Sequence, residues 1–117
     1  MRTRMKWAVL PILAIASYAT SVFASQSGSN ATITAVGYNG TVAWVSLAAD
    51  LGGTKPACTT DKRDLVFDPT TAAGKTFLSL AESAKLSGRL VDLSGTGTCT
   101  NLGSTPVENL SYIKIRD

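Results

Sequence analysis

Histidine is absent from the sequence, cysteine occurs only twice, and aromatic residues make up 7% of its positions. Without histidine the usual general base is missing, and so are the Ser–His and Cys–His pairs that activate a nucleophile. Most hydrolase templates therefore fail, and a non-enzymatic role is expected. The two cysteines, Cys58 and Cys99, stand far from Cys-x-x-Cys spacing. With no histidine to complete a ligand set, neither a redox pair nor a zinc site is expected. Long apolar runs are also lacking. The longest, Trp7 to Ala19, holds about 13 residues, short of the roughly 20 that a membrane-spanning helix needs.

That run has a different use. Arg2, Arg4 and Lys6 stand directly before it, and Val22 and Ala24 put small residues at the minus-three and minus-one positions of a processing site. This order predicts an export signal over residues 1–24, cut between Ala24 and Ser25. The expected destination is periplasmic or secreted, with no membrane span after processing. The residue directly after the cut is Ser25 and not cysteine, so no lipid anchor is expected.

Charge of one sign is scarce once the signal is removed. The chain carries 11 basic and 8 acidic residues, and losing Arg2, Arg4 and Lys6 makes the two counts equal. Lys55, Lys62, Arg63, Lys75, Lys85, Arg89, Lys114 and Arg116 are interleaved with acids. Nucleic acid is not an expected partner, because its phosphates call for a concentrated basic patch. The remainder, about 93 residues, suits one compact domain near the size at which a core alone confers modest stability. An even cysteine count in an exported chain predicts one bond, Cys58 to Cys99.

Local patterns then order the elements. Residues 25–30 are small and polar and read as a flexible start to a single domain over 31–117. From Ala31, Ile33 and Ala35 alternate with Thr32 and Thr34, the period of a half-buried strand. Asn39-Gly40 suits a two-residue type I′ hairpin turn into a second strand, Thr41 to Leu47. Gly52, Gly53 and Pro56 turn the chain and deliver Cys58, and Leu65 to Phe67 is a short apolar strand. Asp68-Pro69, with Thr70 and Thr71 as competing caps, starts a helix whose apolar stripe is Ala73, Phe77, Leu80, Ala81 and Ala84, and Gly88 ends it. Alternation returns over Arg89 to Ser94, extends weakly through Gly95-Thr96-Gly97-Thr98 to Cys99, and recurs from Glu108 to Arg116.

The order is β-β-β-α-β-β, mainly β with one helix. A five-stranded Greek-key barrel of the OB type satisfies it, with the helix plugging one end. A plain α+β roll is the alternative. The leader, the two cysteines before the third and after the fourth strand, and the helix within Phe67 to Gly88 together resemble the B subunits of AB5 toxins, in the subtilase-cytotoxin and pertussis-like group. The resemblance implies a subunit that forms homo-oligomeric rings and binds a cell-surface glycan. No glycan-contacting motif maps residue by residue, so it assigns no binding residue.

The candidate ligand contacts come from chemistry instead. Tyr38, Trp44 and Tyr112 offer flat faces for sugar stacking and polar tips for hydrogen bonds. Asp61, Asp64 and Asp68 lack the calcium-loop pattern and each has a local use as turn or cap. Gly95 to Thr98 lacks the Lys-Ser/Thr of a phosphate loop. No cofactor or metal is expected. The expected function is an exported, non-enzymatic binding module whose ligand is a cell-surface glycan or a partner protein. A periplasmic structural or inhibitor-type protein that binds a partner protein is the alternative.

Overall fold

The computed structural model describes residues 24–117. The expected export signal therefore lies, apart from Ala24, outside the described residues. The chain runs β1 (Gln26–Ala31), β2 (Ile33–Tyr38), β3 (Ala43–Leu47), β4 (Gly52–Gly53), β5 (Asp64–Phe67), α1 (Ala72–Ser87), β6 (Val91–Leu102) and β7 (Thr105–Ile115).

The fold is mainly β with one helix, as the alternation implied, but the expected five-stranded closed barrel is not what forms. Seven strands make one sheet in the order β2-β3-β5-β7-β6-β1-β4, and no ladder joins β2 to β4 to close it. Neighbours are antiparallel except β5 and β7, which pair in parallel at Val66 and Asn109. The two additional strands arise from segments with little apolar signal. Residues 25–30, expected as a flexible start, are largely strand β1, which pairs with β6 on one side and β4 on the other. Ladder hydrogen bonds from partners distant in sequence compensate for the missing apolar period.

β1 and β2 are separated only by Thr32 but lie on different neighbours. Asn30 adopts φ 51°, and Asp92 on β6 holds that bend. Its Oδ1 accepts from the Asn30 N–H at 3.1 Å and the Ser29 hydroxyl at 3.3 Å, and its Oδ2 accepts from Arg116 at 2.8 Å. The Asn30 N–H, followed by Arg116, keeps the Asp92 carboxyl below its ordinary range.

The core collects the inward residues of the strands, including Ile33, Val45, Leu47, Leu65, Phe67, Val91, Leu93, Leu110 and Ile113. Helix α1 covers it with buried Gly74, Ala81 and Ala84, while Phe77, Leu78 and Leu80 pack at its margin. The Phe77 ring meets Phe67 edge-on, with centroids 5.9 Å apart. Ala73, expected in the stripe, is exposed, and Gly74 takes the inward place, three residues before Phe77 and seven before Ala81.

Of the competing caps, Thr71 accepts the Gly74 N–H at 2.9 Å, while Asp68 turns back to Thr70. Gly88 closes the other end at φ 70°, the left-handed geometry that favours glycine. Gly74 is required for a different reason. A Cβ there would lie 1.7 Å from the Asp68 carbonyl oxygen. An alanine in a helix normally gains about 1 kcal/mol over glycine, but overpacking against backbone costs more. Gly74→Ala is expected to destabilise by about 2 kcal/mol in urea unfolding, and a net gain in stability would contradict this packing.

The hairpin between β2 and β3 also departs from expectation. A four-residue connection, Asn39 to Val42, replaces the two-residue type I′ turn, with only Gly40 at positive φ. The Asn39 carboxamide oxygen accepts the N–H groups of Thr41 and Val42, both at 3.0 Å. That local acceptor competes with the ladder and widens the loop.

The expected disulfide, Cys58 to Cys99, is present, with Cα atoms 6.1 Å apart. It ties the loop after β4 to the middle of β6. Thr59 reinforces the tie by donating to the Pro106 carbonyl at 2.7 Å.

Candidate functional site

The three aromatic candidates do not converge. Residues directly opposite in an antiparallel pair share a face, so Trp44, opposite Gly37, and Tyr38, opposite fully buried Ala43, lie on opposite faces of the hairpin. The Trp44 indole lies over Gly37, where a Cβ would come within 2.2 Å of the ring. This is a packing role, with glycine making room for the ring. Tyr112 is exposed on β7 opposite Ser94 and lines none of the clefts described below.

Tyr38 is the one that borders a cleft. The residue is 57% exposed, and it stands with Val36 and Gly37 on one wall of a recess of about 610 Å³. Helix α1 forms the other wall through Lys75, Leu78 and Glu82, whose spacings of three and four place them on one face. Pro69 and Thr70 close one end. Val36, Pro69 and Leu78 make much of the lining apolar, and Lys75 and Glu82 add a cation and a carboxylate that form no ion pair among the described residues. An aromatic plate beside apolar surface, with separate donors and acceptors at the edge, suits a ligand with both apolar faces and hydroxyl groups.

The acidic residues have local uses. Asp61 accepts the N–H groups of Arg63 and Asp64 at 2.8 and 2.9 Å, and Ser46 donates to Asp64. Partial burial, then neighbouring Asp61, raises the Asp64 carboxyl above its ordinary range, with Ser46 opposing. Asp68 accepts from Thr70, which lowers its carboxyl. Among the described residues no group of three or more His, Cys, Asp or Glu is arranged to hold a metal ion.

A second polar centre had no forerunner in the sequence patterns. Glu108 on β7 is 0% exposed and Gln26 on β1 is 1% exposed. The Glu108 carboxylate accepts the Gln26 N–H at 3.0 Å, the Gln26 carboxamide N–H at 3.1 Å and the Gly97 N–H at 2.8 Å. It lies over Gly95, where a Cβ would meet Oε2 at 2.0 Å. Register shifts in β6 between Ser94 and Gly95 and between Gly95 and Cys99 create that space. A bulge re-aims side chains, which is why a glutamate in an alternating strand ends up inside. The only sequence signal was Gly95 and Gly97 on the partner strand.

A hollow of about 440 Å³ adjoins this centre, lined by Gln26, Leu51, Lys55 and Lys62 among others. Comparison of the chain with protein-family models, curated proteins and solved structures finds no match.

Proposed function

We propose that the chain is an exported, non-enzymatic OB-like binding module whose ligand is a cell-surface glycan. The observation that carries this reading is the Tyr38 cleft, an aromatic face 57% exposed at the mouth of a recess of about 610 Å³.

The path of the chain supports the OB-like part. If β1 and β2 are counted as one strand interrupted at Thr32, the sheet follows the sequence of pairings first-second-third-fifth-fourth-first. The single parallel step then lies between the third and fifth strands, at β5 and β7. OB-folds bind oligosaccharides at the second and third strands and the adjoining loops, and the Asn39 to Val42 loop beside Tyr38 is the first of these.

The resemblance to toxin B subunits extends the proposal to ring assembly. The free edge of β2, Ile33 to Tyr38, has no charged residue or proline, the usual guards against edge pairing. A partner protein is the competing ligand class, favoured by Leu86, 88% exposed near the end of α1.

A glycan array probed with the processed protein, together with light scattering, tests the reading. Binding to sugars by an oligomer is expected, and a monomer that binds no sugar would overturn it. Tyr38→Ala is expected to weaken glycan binding about tenfold, because a stacked ring contributes about 1–1.5 kcal/mol. Tyr112→Ala, outside the cleft, should leave affinity unchanged. Equal losses in both variants would remove the cleft from the binding site.

A further inference from the structure

We infer that Glu108 and the side-chain oxygen of Gln26 form an internal receptor for the α-ammonium group of Ser25, which export processing creates. The inference rests on the export half of the proposed function and is independent of the glycan cleft.

Two observations call for a cationic donor at this place. Glu108 is completely buried, yet among the described residues no cationic side chain pairs with it. Its three N–H donors come from Gln26 and Gly97 and carry no net charge. A buried carboxylate without a counter-charge is costly even when it is hydrogen-bonded. Independently, Gln26 Oε1 is buried with no hydrogen-bond partner, and an orphaned buried acceptor is rare in native proteins.

Both acceptors meet at Gln26, which carries the orphaned oxygen and bonds Glu108 through its backbone N–H. Ser25 directly precedes Gln26, and the Gln26 N–H itself donates to Glu108 Oε1 at 3.0 Å. The Ser25 nitrogen precedes the Gln26 nitrogen by one residue, a step of no more than about 3.8 Å. The Ser25 carbonyl accepts the Thr54 N–H at 3.1 Å, which fixes the peptide that joins Ser25 to Gln26.

In the uncut chain the Ser25 nitrogen is a neutral amide with one N–H. Hydrolysis of the Ala24–Ser25 bond by an export peptidase adds water across it, leaving a carboxylate on Ala24 and an ammonium with three donors on Ser25. That group matches the missing charge and the missing donor together.

The other charges nearby are already engaged or stand to the side. Lys55 donates to the Pro56 and Thr59 carbonyls, and Asp50 pairs with Arg63 at 2.8 Å. Lys62 lines the adjoining hollow with Asp50. Asp61 offers Gln26 its backbone carbonyl while its carboxylate caps Arg63 and Asp64. From β6 the centre meets Gly95, Gly97 and the disulfide-bonded Cys99, none of them charged.

Pairing with Glu108 raises the proton affinity of the Ser25 amine. A free α-amino group titrates near pH 8, and a carboxylate partner holds this one above that. The added stability is complete below the unfolded value and is lost as pH rises through the folded one.

The test uses protein exported with its own leader and purified after processing. Mass spectrometry identifies the first residue, and competitive acylation at graded pH measures the α-amine. Ser25 at the terminus with a titration above the ordinary value is expected. The shift should vanish in Glu108→Gln and, should that variant fail to accumulate, in urea-unfolded wild type. An ordinary titration at Ser25 would overturn the receptor and leave export standing. A first residue other than Ser25 would overturn both the receptor and the assigned cut.

Discussion

Replacing Cys58 and Cys99 together by alanine lowers the unfolding free energy by about 4 kcal/mol. The two residues are 41 positions apart, and opening a loop of that length returns this much entropy to the unfolded chain in the loop-closure model. A domain of this size has a total stability of roughly 5–10 kcal/mol, so the loss is close to half of it. The midpoint of thermal unfolding should fall by about 15–30 °C. The dependence of stability on urea should steepen, because the unlinked chain exposes more surface. A loss below about 1 kcal/mol would mean that the unfolded chain is already compact between the two cysteines. It would also mean that the Thr59 bond to Pro106 holds the loop after β4 by itself.

The second large effect is at the buried carboxylate. Glu108→Leu is expected to cost about 3–5 kcal/mol. The side chain has similar volume and no charge to bury, which taken alone favours leucine. The donors decide the sign, however, because two of the three are backbone N–H groups of Gln26 and Gly97 that no side-chain change removes. Each orphaned donor costs about 1–3 kcal/mol, and the sum exceeds the relief from removing the charge. Urea unfolding of the variant measures the loss. A stability equal to wild type would mean that water reaches these donors, contrary to the burial of Gln26 and Glu108. The lesion should also loosen β1, which lies between β6 and two-residue β4, so the first amides to lose exchange protection should be those of Gln26 to Ala31.

These two sites differ in how legible they were. The disulfide followed from counting two cysteines in a chain expected to be exported. The helix followed from local chemistry as well, since its stripe, Thr71 cap and Gly88 terminus act within a few residues of one another. Tyr38 was singled out among three aromatics, but nothing local distinguished it from Trp44 and Tyr112. The distinction depends on strand register, which sets Trp44 over Gly37 and leaves Tyr38 beside the helix.

Gln26 and Glu108 were invisible because their partnership spans 82 positions. Gln26 lies in a stretch too polar to signal a strand, and Glu108 reads as an outward residue in any unbroken alternation. Both become interior only because β6 shifts register around Gly95 and because β7 runs between β5 and β6.

By itself, then, the order of residues determined the β-rich class with one helix, the Gly88 end of that helix and the pairing of the cysteines. Each depends on periodicity, capping or counting within a short stretch of chain. Tertiary structure alone decided that seven strands form an unclosed sheet, that a polar segment becomes β1, and that one glutamate is buried. Those outcomes depend on which distant backbone groups find each other as hydrogen-bond partners, and the energy of such a ladder belongs to the pair of strands and not to either one.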